Sequence, residues 1–234
     1  MVNITIDPQL KEVWQQAALG CVQCRVVVQP SSRQLLEAID VVCRRLMDSM
    51  SIEQIKTREN IAQTRACCTA LGKDVKRYRN SAEALNRRVL QGKGLYQINN
   101  VVEVNNLISL DTGYSLGSYD LEKLEGDIVF KDVDFGYDEG DIVWKPAGEG
   151  VHYHGIGKEA VNIEFLPVLS DRQGFFGNPN SDSTRAMITP QTTQLLMCVF
   201  GFGGAQSLQP MLGQMCEALQ TYCGATELET AVIV

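Results

Sequence analysis

Three short stretches carry side chains whose types and spacing suit chemistry. In "VVEVNNLISLDTGYSLGSYDLEKLEG", residues 101–126, Asn105 and Asn106 interrupt an apolar run, and a Gly-Ser-Tyr-Asp turn follows. The flanking Val101, Val102, Val104, Leu107, Ile108 and Leu110 are apolar. An amide sealed among them without partners would cost about 1–3 kcal/mol, which favours a pair that grips a guest. In "GFFGNPNSDSTRAMITP", residues 174–190, a Phe-Phe-Gly turn precedes Asn178, Asn180, Ser181, Asp182, Ser183, Thr184 and Arg185. Such a set either lines a pocket for a small polar ligand or makes a long surface loop of turn-forming residues. Asp182 is its best acid or base.

The third stretch is basic. From Lys56 to Lys93 ten Lys or Arg stand against three acids, giving +7, while the whole chain carries −7, so the remainder carries −14. Asp120 to Asp141 holds nine acids and two lysines. A local basic patch guides a polyanion even on an acidic protein; a solvated helix pair with surplus arginine is the alternative.

Other chemistry is poorly supplied. Cys21 and Cys24 form a CxxC, but a strand would point them to opposite faces, no second CxxC exists, and structural thiols are expected. His152 and His154 are the only histidines. On a strand they share a face and supply half a metal site, with Glu149 and Glu159 as undistinguished further ligands. No GxSxG, HExxH, P-loop or GxGxxG after a strand is present. No metal and no cofactor is expected.

These residues need elements to position them. The chain of 234 residues is 44% hydrophobic and 21% charged, within the globular range. No apolar run reaches 18 residues and the N-terminus lacks the pattern of a signal peptide, so no membrane span is expected. Eight cysteines then suggest free thiols in a reducing cytoplasm. Asp7 and Pro8 open a helix that Gly20 closes. "CVQCRVVVQP" reads as a strand. Ser31 with Gln34 caps a helix over "SSRQLLEAIDVVCRRLMDSM". Residues 51–72 read as one further helix, "KDVKRYR" as a connector, and "NSAEALNRRVLQG" as a helix capped by Asn80 and Glu83. "DIVFKDVDF", "DIVWKPA", "VHYHGIG" and "AVNIEFLPVL" read as strands. "TPQTTQLLMCVFGFGG" suits helix or strand. "SLQPMLGQMCEALQTYCG" reads as a final amphipathic helix, whose Leu208, Leu212, Met215 and Leu219 pack in the core or on another subunit. The class is α+β, with residues 1–234 as one compact unit.

Residues 60–200 also resemble a known family. "LYQINNVVEVNNLISLDTGYSLGSYDLEKLEGDIVF" resembles the centre of the editing module, or B3/B4 domain, of the phenylalanyl-tRNA synthetase beta subunit. "LGKDVKRYRNSAEALNRRVLQGKGLYQINNVVEVNNLISL" and "FGNPNSDSTRAMITP" resemble its free-standing relatives. The resemblance implies a partly barrel-like antiparallel sheet flanked by helices. It implies a pocket that receives the amino-acid end of a mischarged tRNA and hydrolyses the ester with positioned water, without a protein nucleophile. Carried over, the family's Thr-Asn pair falls on Asn105 and Asn106, and its aromatic-Asp pair on Tyr119 and Asp120. Its turn histidine falls on Gly117, and its glycine-rich wall on Gly174 to Gly177. Its glutamate falls near Met197 or Cys198, where no acid stands, so selectivity for a tyrosyl ester is not expected. Asn105, Asn106 and Asp182 are the catalytic candidates. Gly117, Ser118, Tyr119, Asp120, Gly177, Asn178, Ser181 and Ser183 are the substrate-binding candidates. Lys73, Arg77, Arg79, Arg87 and Arg88 are candidates for RNA phosphates. The expected partner is tRNA or an aminoacyl-tRNA end, or a free amino acid for a non-catalytic binding module.

Overall fold

The computed structural model describes residues 1–125 and 142–234. The elements run β1 (Ile4–Ile6), α1 (Pro8–Val13), β2 (Ala18–Arg25), α2 (Arg33–Ser49), α3 (Glu59–Ala70), α4 (Ser81–Leu90), α5 (Asn100–Thr112), β3 (Ser115–Asp120), β4 (Ile142–Pro146), β5 (His152–Gly155), β6 (Lys158–Asn162), β7 (Pro167–Asp171), β8 (Gly174–Gly177), β9 (Gln194–Gly201), α6 (Gln209–Cys223) and β10 (Thr226–Ile233). One sheet has the order β1-β4-β7-β8 and a second the order β10-β2-β9-β3, with β5 and β6 as a separate hairpin. Among the described residues β1 and β4 alone pair in parallel, and every other pairing is antiparallel. The class is α+β with antiparallel sheets flanked by helices, and no barrel closes among the described residues.

Strand β9 holds the layers together. Its Leu195, Met197 and Val199 enter a core shared with α2, α5 and α6. Its Leu196, Cys198 and Phe200 enter a second core against Trp144, Leu169 and Phe176 of the first sheet. A strand buried on both faces reads as an unbroken apolar run, which is why "QLLMCVFG" has no alternation to identify it. Leu208, Leu212, Met215 and Leu219 of α6 pack in the helix-side core, so this stripe is internal.

The structure departs from the sequence expectations at several joints. Helix α1 stops at Val13, and Gly20 lies inside β2. Ser32, not Ser31, caps α2 by accepting from the Leu35 N–H at 3.2 Å. Ser31 instead donates to the Glu103 carboxylate at 2.5 Å. Residues 51–72 divide into a 3₁₀ turn, Ile52–Thr57, and α3. The break is Arg58, whose guanidinium donates to Asn86 Oδ1 at 2.6 Å, to Leu110 O at 2.7 Å and to Asp111 O at 2.7 Å. Residues 160–169 make the end of β6 and the start of β7, with a turn between them. The chain finishes on β10 rather than on a helix. "DIVFKDVDF" lies outside the described residues.

Helix α5 matters most for the site, and buried amides fix its start. Asn99 caps it by accepting from Val102 N–H at 3.0 Å. The fully buried Asn100 donates to Val27 O at 2.8 Å and Tyr222 O at 3.0 Å, and accepts from Gln29 N–H at 3.0 Å. One side chain thus joins α5, the segment after β2 and the end of α6. Asn100→Ala removes three hydrogen bonds made by a fully buried amide and is expected to lower stability by about 3 kcal/mol, measured by urea unfolding.

Candidate functional site

Strand β3 forms one edge of the second sheet and follows α5 through a tight turn at Gly113, so the two elements lie side by side. A cavity of about 190 Å³ opens beside that edge. Asn105 of α5, Ser118 of β3 and Asp182 of the loop after β8 supply its polar groups. Ile98, Val102, Ile156, Met187 and Ile188 supply apolar walls. Ser118 Oγ donates to Asn105 Oδ1 at 3.0 Å, which leaves the amide nitrogen of Asn105 as a donor for a guest. Asn106, one residue along the helix, does not line the cavity, and its side chain makes no hydrogen bond to the described residues.

Asp182 is held from behind. Its Oδ1 accepts from the Tyr119 hydroxyl at 2.9 Å and from the Asn178 N–H at 3.3 Å. Burial pushes its carboxyl up to about 7, against the opposing pull of those two hydrogen bonds. Its Oδ2 accepts no hydrogen bond from the described residues and is free for a guest. Tyr119 is 1% exposed and packs edge-on against Phe176 at 4.9 Å between centroids. Burial, with the neighbouring Asp182 carboxylate, pushes the phenol well above its ordinary range.

Two glycines make room for that phenol. A Cβ on Gly117 would stand 1.9 Å from Tyr119 Oη, and one on Gly177 would stand 2.1 Å from it. Gly117 belongs to the second sheet and Gly177 to the first, so the tyrosine threads between the sheets to reach Asp182. Both glycines therefore serve Tyr119 and do not line the cavity.

The 174–190 stretch is a strand followed by a tightly bonded loop. Asn178 is buried; its Oδ1 accepts from Asn180 N–H at 2.7 Å and Ser181 N–H at 3.1 Å. Its amide nitrogen donates to Ser181 O at 3.0 Å and to the Tyr153 hydroxyl, which in turn donates to Ser181 O. Ser183 N–H donates to Phe176 O at 2.9 Å. Arg185 pairs with Asp171 at 2.7 Å and donates to Gly174 O at 2.9 Å. Ser181 and Ser183 thus shape the loop. Asp120 also faces away from the cavity: it caps the turn after β3 and accepts from Thr192 Oγ1 at 2.7 Å.

The basic residues gather in a separate groove of about 440 Å³. Arg77, Arg79, Arg87, Arg88, Lys93 and Lys158 line it, together with Asn180. The nearby acid Glu83 is buried; it pairs with Arg65 at 2.7 Å and, more loosely, with the groove's own Arg79 at 3.6 Å and Arg87 at 3.8 Å. Lys73 does not join them. It is buried, and its ammonium donates to Asn162 and to Glu164 O at 2.7 Å. Lys158 was missed because it lies on a strand 65 residues beyond the basic run. The apolar walls were missed because they come from separate elements; their trace is that Ile98 and Ile156 are large hydrophobics left exposed.

The other motifs stay apart. Cys21 sits in the core between the sheets, with its sulfur 3.7 Å from that of Cys198 across the β2–β9 pair, and Cys24 sits in the helix-side core. His152 and His154 are exposed, and His152 Nδ1 contacts Gly150 O at 2.8 Å. Among the described residues no three His, Cys, Asp or Glu come together as a metal site, and no helix is long and apolar enough to cross a membrane.

A family model described as B3/4 domain matches residues 63–209. No curated protein matches the chain. Among solved structures the chain is similar to the crystal structure of an N-terminal fragment of the phenylalanyl-tRNA synthetase beta-subunit from Pyrococcus horikoshii. The two share 14% identity at a TM-score of 0.49, over 99% of this chain and 50% of that one. The chain therefore spans about half the length of that fragment.

Two outcomes test the geometry. Gly177→Ala drives a methyl into the Tyr119 hydroxyl and should lower stability by about 1–3 kcal/mol in urea unfolding. The folded-state value of Asp182, about 7, lies above its ordinary 3.8, so the native state holds this proton more tightly than the unfolded chain. The resulting stabilisation is complete below about pH 4 and is lost as pH rises toward 7. Comparing denaturation midpoints of wild type and Asp182→Asn across that window should show the decline in the wild type alone.

Proposed function

The chain belongs to the B3/4 domain family, and from that premise we propose that it hydrolyses the ester of a mischarged aminoacyl-tRNA in trans. We take residues 1–234 to act as one unit, because β9 sends side chains into both main cores. The observation that carries the reading is Asp182. Its carboxyl is raised to about 7, one oxygen is anchored, the other accepts no hydrogen bond from the described residues, and the residue lines the cavity together with Asn105 and Ser118.

In this reading the amino-acid end enters the cavity and the amide of Asn105 donates to the ester carbonyl. Asp182 takes a proton from water as the water oxygen bonds to that carbon. The bond from carbon to the ribose oxygen then breaks, and the proton passes from Asp182 to the leaving hydroxyl. A carboxyl poised near neutrality suits both transfers. Fixed donors supply the remaining stabilisation without a covalent intermediate. Arg77, Arg79, Arg87 and Arg88, joined by Lys93 and Lys158, hold phosphates in the groove, an interaction that is independent of sequence.

A panel of mischarged tRNAs tests this directly. Asp182→Asn should lower ester hydrolysis by roughly a hundredfold or more. Asn105→Ala should reduce it while leaving tRNA affinity nearly unchanged. The wild-type rate should climb as pH rises through about 7, because the base form of Asp182 is the active one. Arg87→Glu with Arg88→Glu should weaken tRNA binding and flatten its salt dependence. Unaltered hydrolysis in Asp182→Asn would remove the assignment. A second reading rests on the small cavity and on Gly117, where the family pattern has a histidine: a module that binds a free amino acid. Calorimetry would favour it by showing amino-acid binding without RNA affinity.

A further inference from the structure

We propose that a second cavity, between α2 and the segment leading into α5, binds a small organic cation: an ammonium group carried on an aliphatic chain. The inference goes beyond the reading above and uses neither the Asp182 cavity nor the basic groove. The cavity measures about 410 Å³, within the roughly 300–1,000 Å³ of small-molecule sites. Leu36, Ile39, Asp40, Cys43 and Met47 line it from α2. Their three- and four-residue spacing makes one stripe of that helix, with Asp40 as the single charge among apolar members. Val89 and Leu95 extend the apolar wall, and Tyr96 adds an exposed ring. Gly92 and Gly94 complete one side, each at positive φ. Nothing lies within 4 Å of where a Cβ would stand on either, so that side is open to an entering molecule.

Charge selects the ligand. Among the described residues the cavity is lined by two carboxylates, Asp40 and Glu103, and by no Lys, Arg or His. Neither carboxylate forms an ion pair with the described residues. Glu103 is 1% exposed, and a buried charge without a counter-charge is costly. Its hydrogen bonds, from Ser31 Oγ at 2.5 Å and Ile98 N–H at 2.9 Å, use two of about four acceptor positions. Asp40 is exposed and stands one turn before Cys43. Burial, and then the Asp40 carboxylate, push the Cys43 thiol up, which sets that negative charge beside the apolar lining. Arg88 does not line the cavity; its guanidinium stacks on the Tyr96 ring at 4.0 Å and lines the basic groove. Two negative groups in an apolar trough suit a guest with a cationic head and a methylene stem, the division a lysine side chain has. An anion is repelled there, and a neutral chain leaves both carboxylates uncompensated.

The test uses the full chain at neutral pH and three six-carbon probes: hexylamine, cationic there as a lysine is, hexanol and hexanoate. In calorimetry hexylamine should bind saturably, hexanol at least about tenfold more weakly, and hexanoate not detectably. Butylamine, two methylenes shorter, should bind about tenfold more weakly than hexylamine. In amide NMR spectra Gly92, Gly94 and Tyr96 should shift with the calorimetric midpoint. Asp40→Lys, at an exposed position, supplies the cavity with its own ammonium and should weaken hexylamine by about tenfold or more. Glu103→Gln keeps both hydrogen bonds, because its carbonyl accepts from Ile98 N–H and its amide donates to Ser31 Oγ. It should weaken hexylamine by about tenfold with circular dichroism unchanged. Should Glu103→Gln lose its fold, Asp40→Lys decides alone. No saturable hexylamine binding, equal affinity for hexanol, shifts confined to other residues, or an Asp40→Lys variant that binds as wild type does would each overturn the proposal.

Discussion

A carboxyl withdrawn from water loses solvation worth several kcal/mol unless donors replace it, and the Asp182 site is organised around that requirement. The replacement is one phenol and one backbone N–H. The phenol belongs to β3 and the N–H to the loop after β8, which lie in different sheets. The hydrogen bond can form only if the ring passes between the sheets, and it passes only where two residues have no Cβ. Four positions, Gly117, Tyr119, Gly177 and Asp182, are thus tied by a single contact. The balance leaves the carboxyl incompletely satisfied, with its titration near neutral pH instead of in the ordinary carboxylate range. A fully satisfied Asp would be a strut; this one keeps an oxygen and a proton available.

The polar residues of the 99–106 stretch divide into two kinds, and position along the helix decides which. Asn99 and Asn100 stand at the N-terminus of α5, where backbone N–H groups lack partners within the helix. Their amides are consumed there and in joining α5 to neighbouring segments. Asn105 lies more than a turn further on, where the backbone satisfies itself, so its amide is free for another use. Glu103 between them is buried yet accepts from both Ser31 and Ile98 N–H, which fixes the chain entering the helix. The same chemistry is structural at one end of the helix and available at the other.

Local signals made much of the helical half readable. Asn80 before α4 and the Asp7-Pro8 start of α1 are side-chain caps that depend on a few neighbouring residues. The misreadings fall where distant contacts override local preference. Gly20 looks like a helix stop, but it is needed inside β2 where α6 packs closely: a Cβ there would meet Val199 at 2.6 Å and Leu212 at 3.3 Å. Arg58 is an ordinary helix former, yet three acceptors from α4 and α5 hold it outside the helix. The candidate site was readable in part by residue type, since Asn105 is a polar group in apolar company and Asp182 is the acid of a polar loop. Its second half was not. Nothing near Tyr119 in the sequence says that its ring points back over Gly117, or that Gly177, some sixty residues away, faces the same hydroxyl.

The groove and the cavity are linked by the shortest of these segments. Asn180 lines the basic groove and Asp182, two residues later, lines the cavity. Asn178 bonds to the backbone at 180 and 181 and to the carboxylate at 182, so hydrogen bonds brace the loop across the link. A ligand that spans both places must therefore present its anionic part and its small polar end a few residues' reach apart. With the basic charge gathered in one groove, the acidic remainder of a protein of net charge −7 repels a polyanion. Long-range repulsion and local attraction together restrict how such a ligand approaches, and they do so before any contact in the cavity is made.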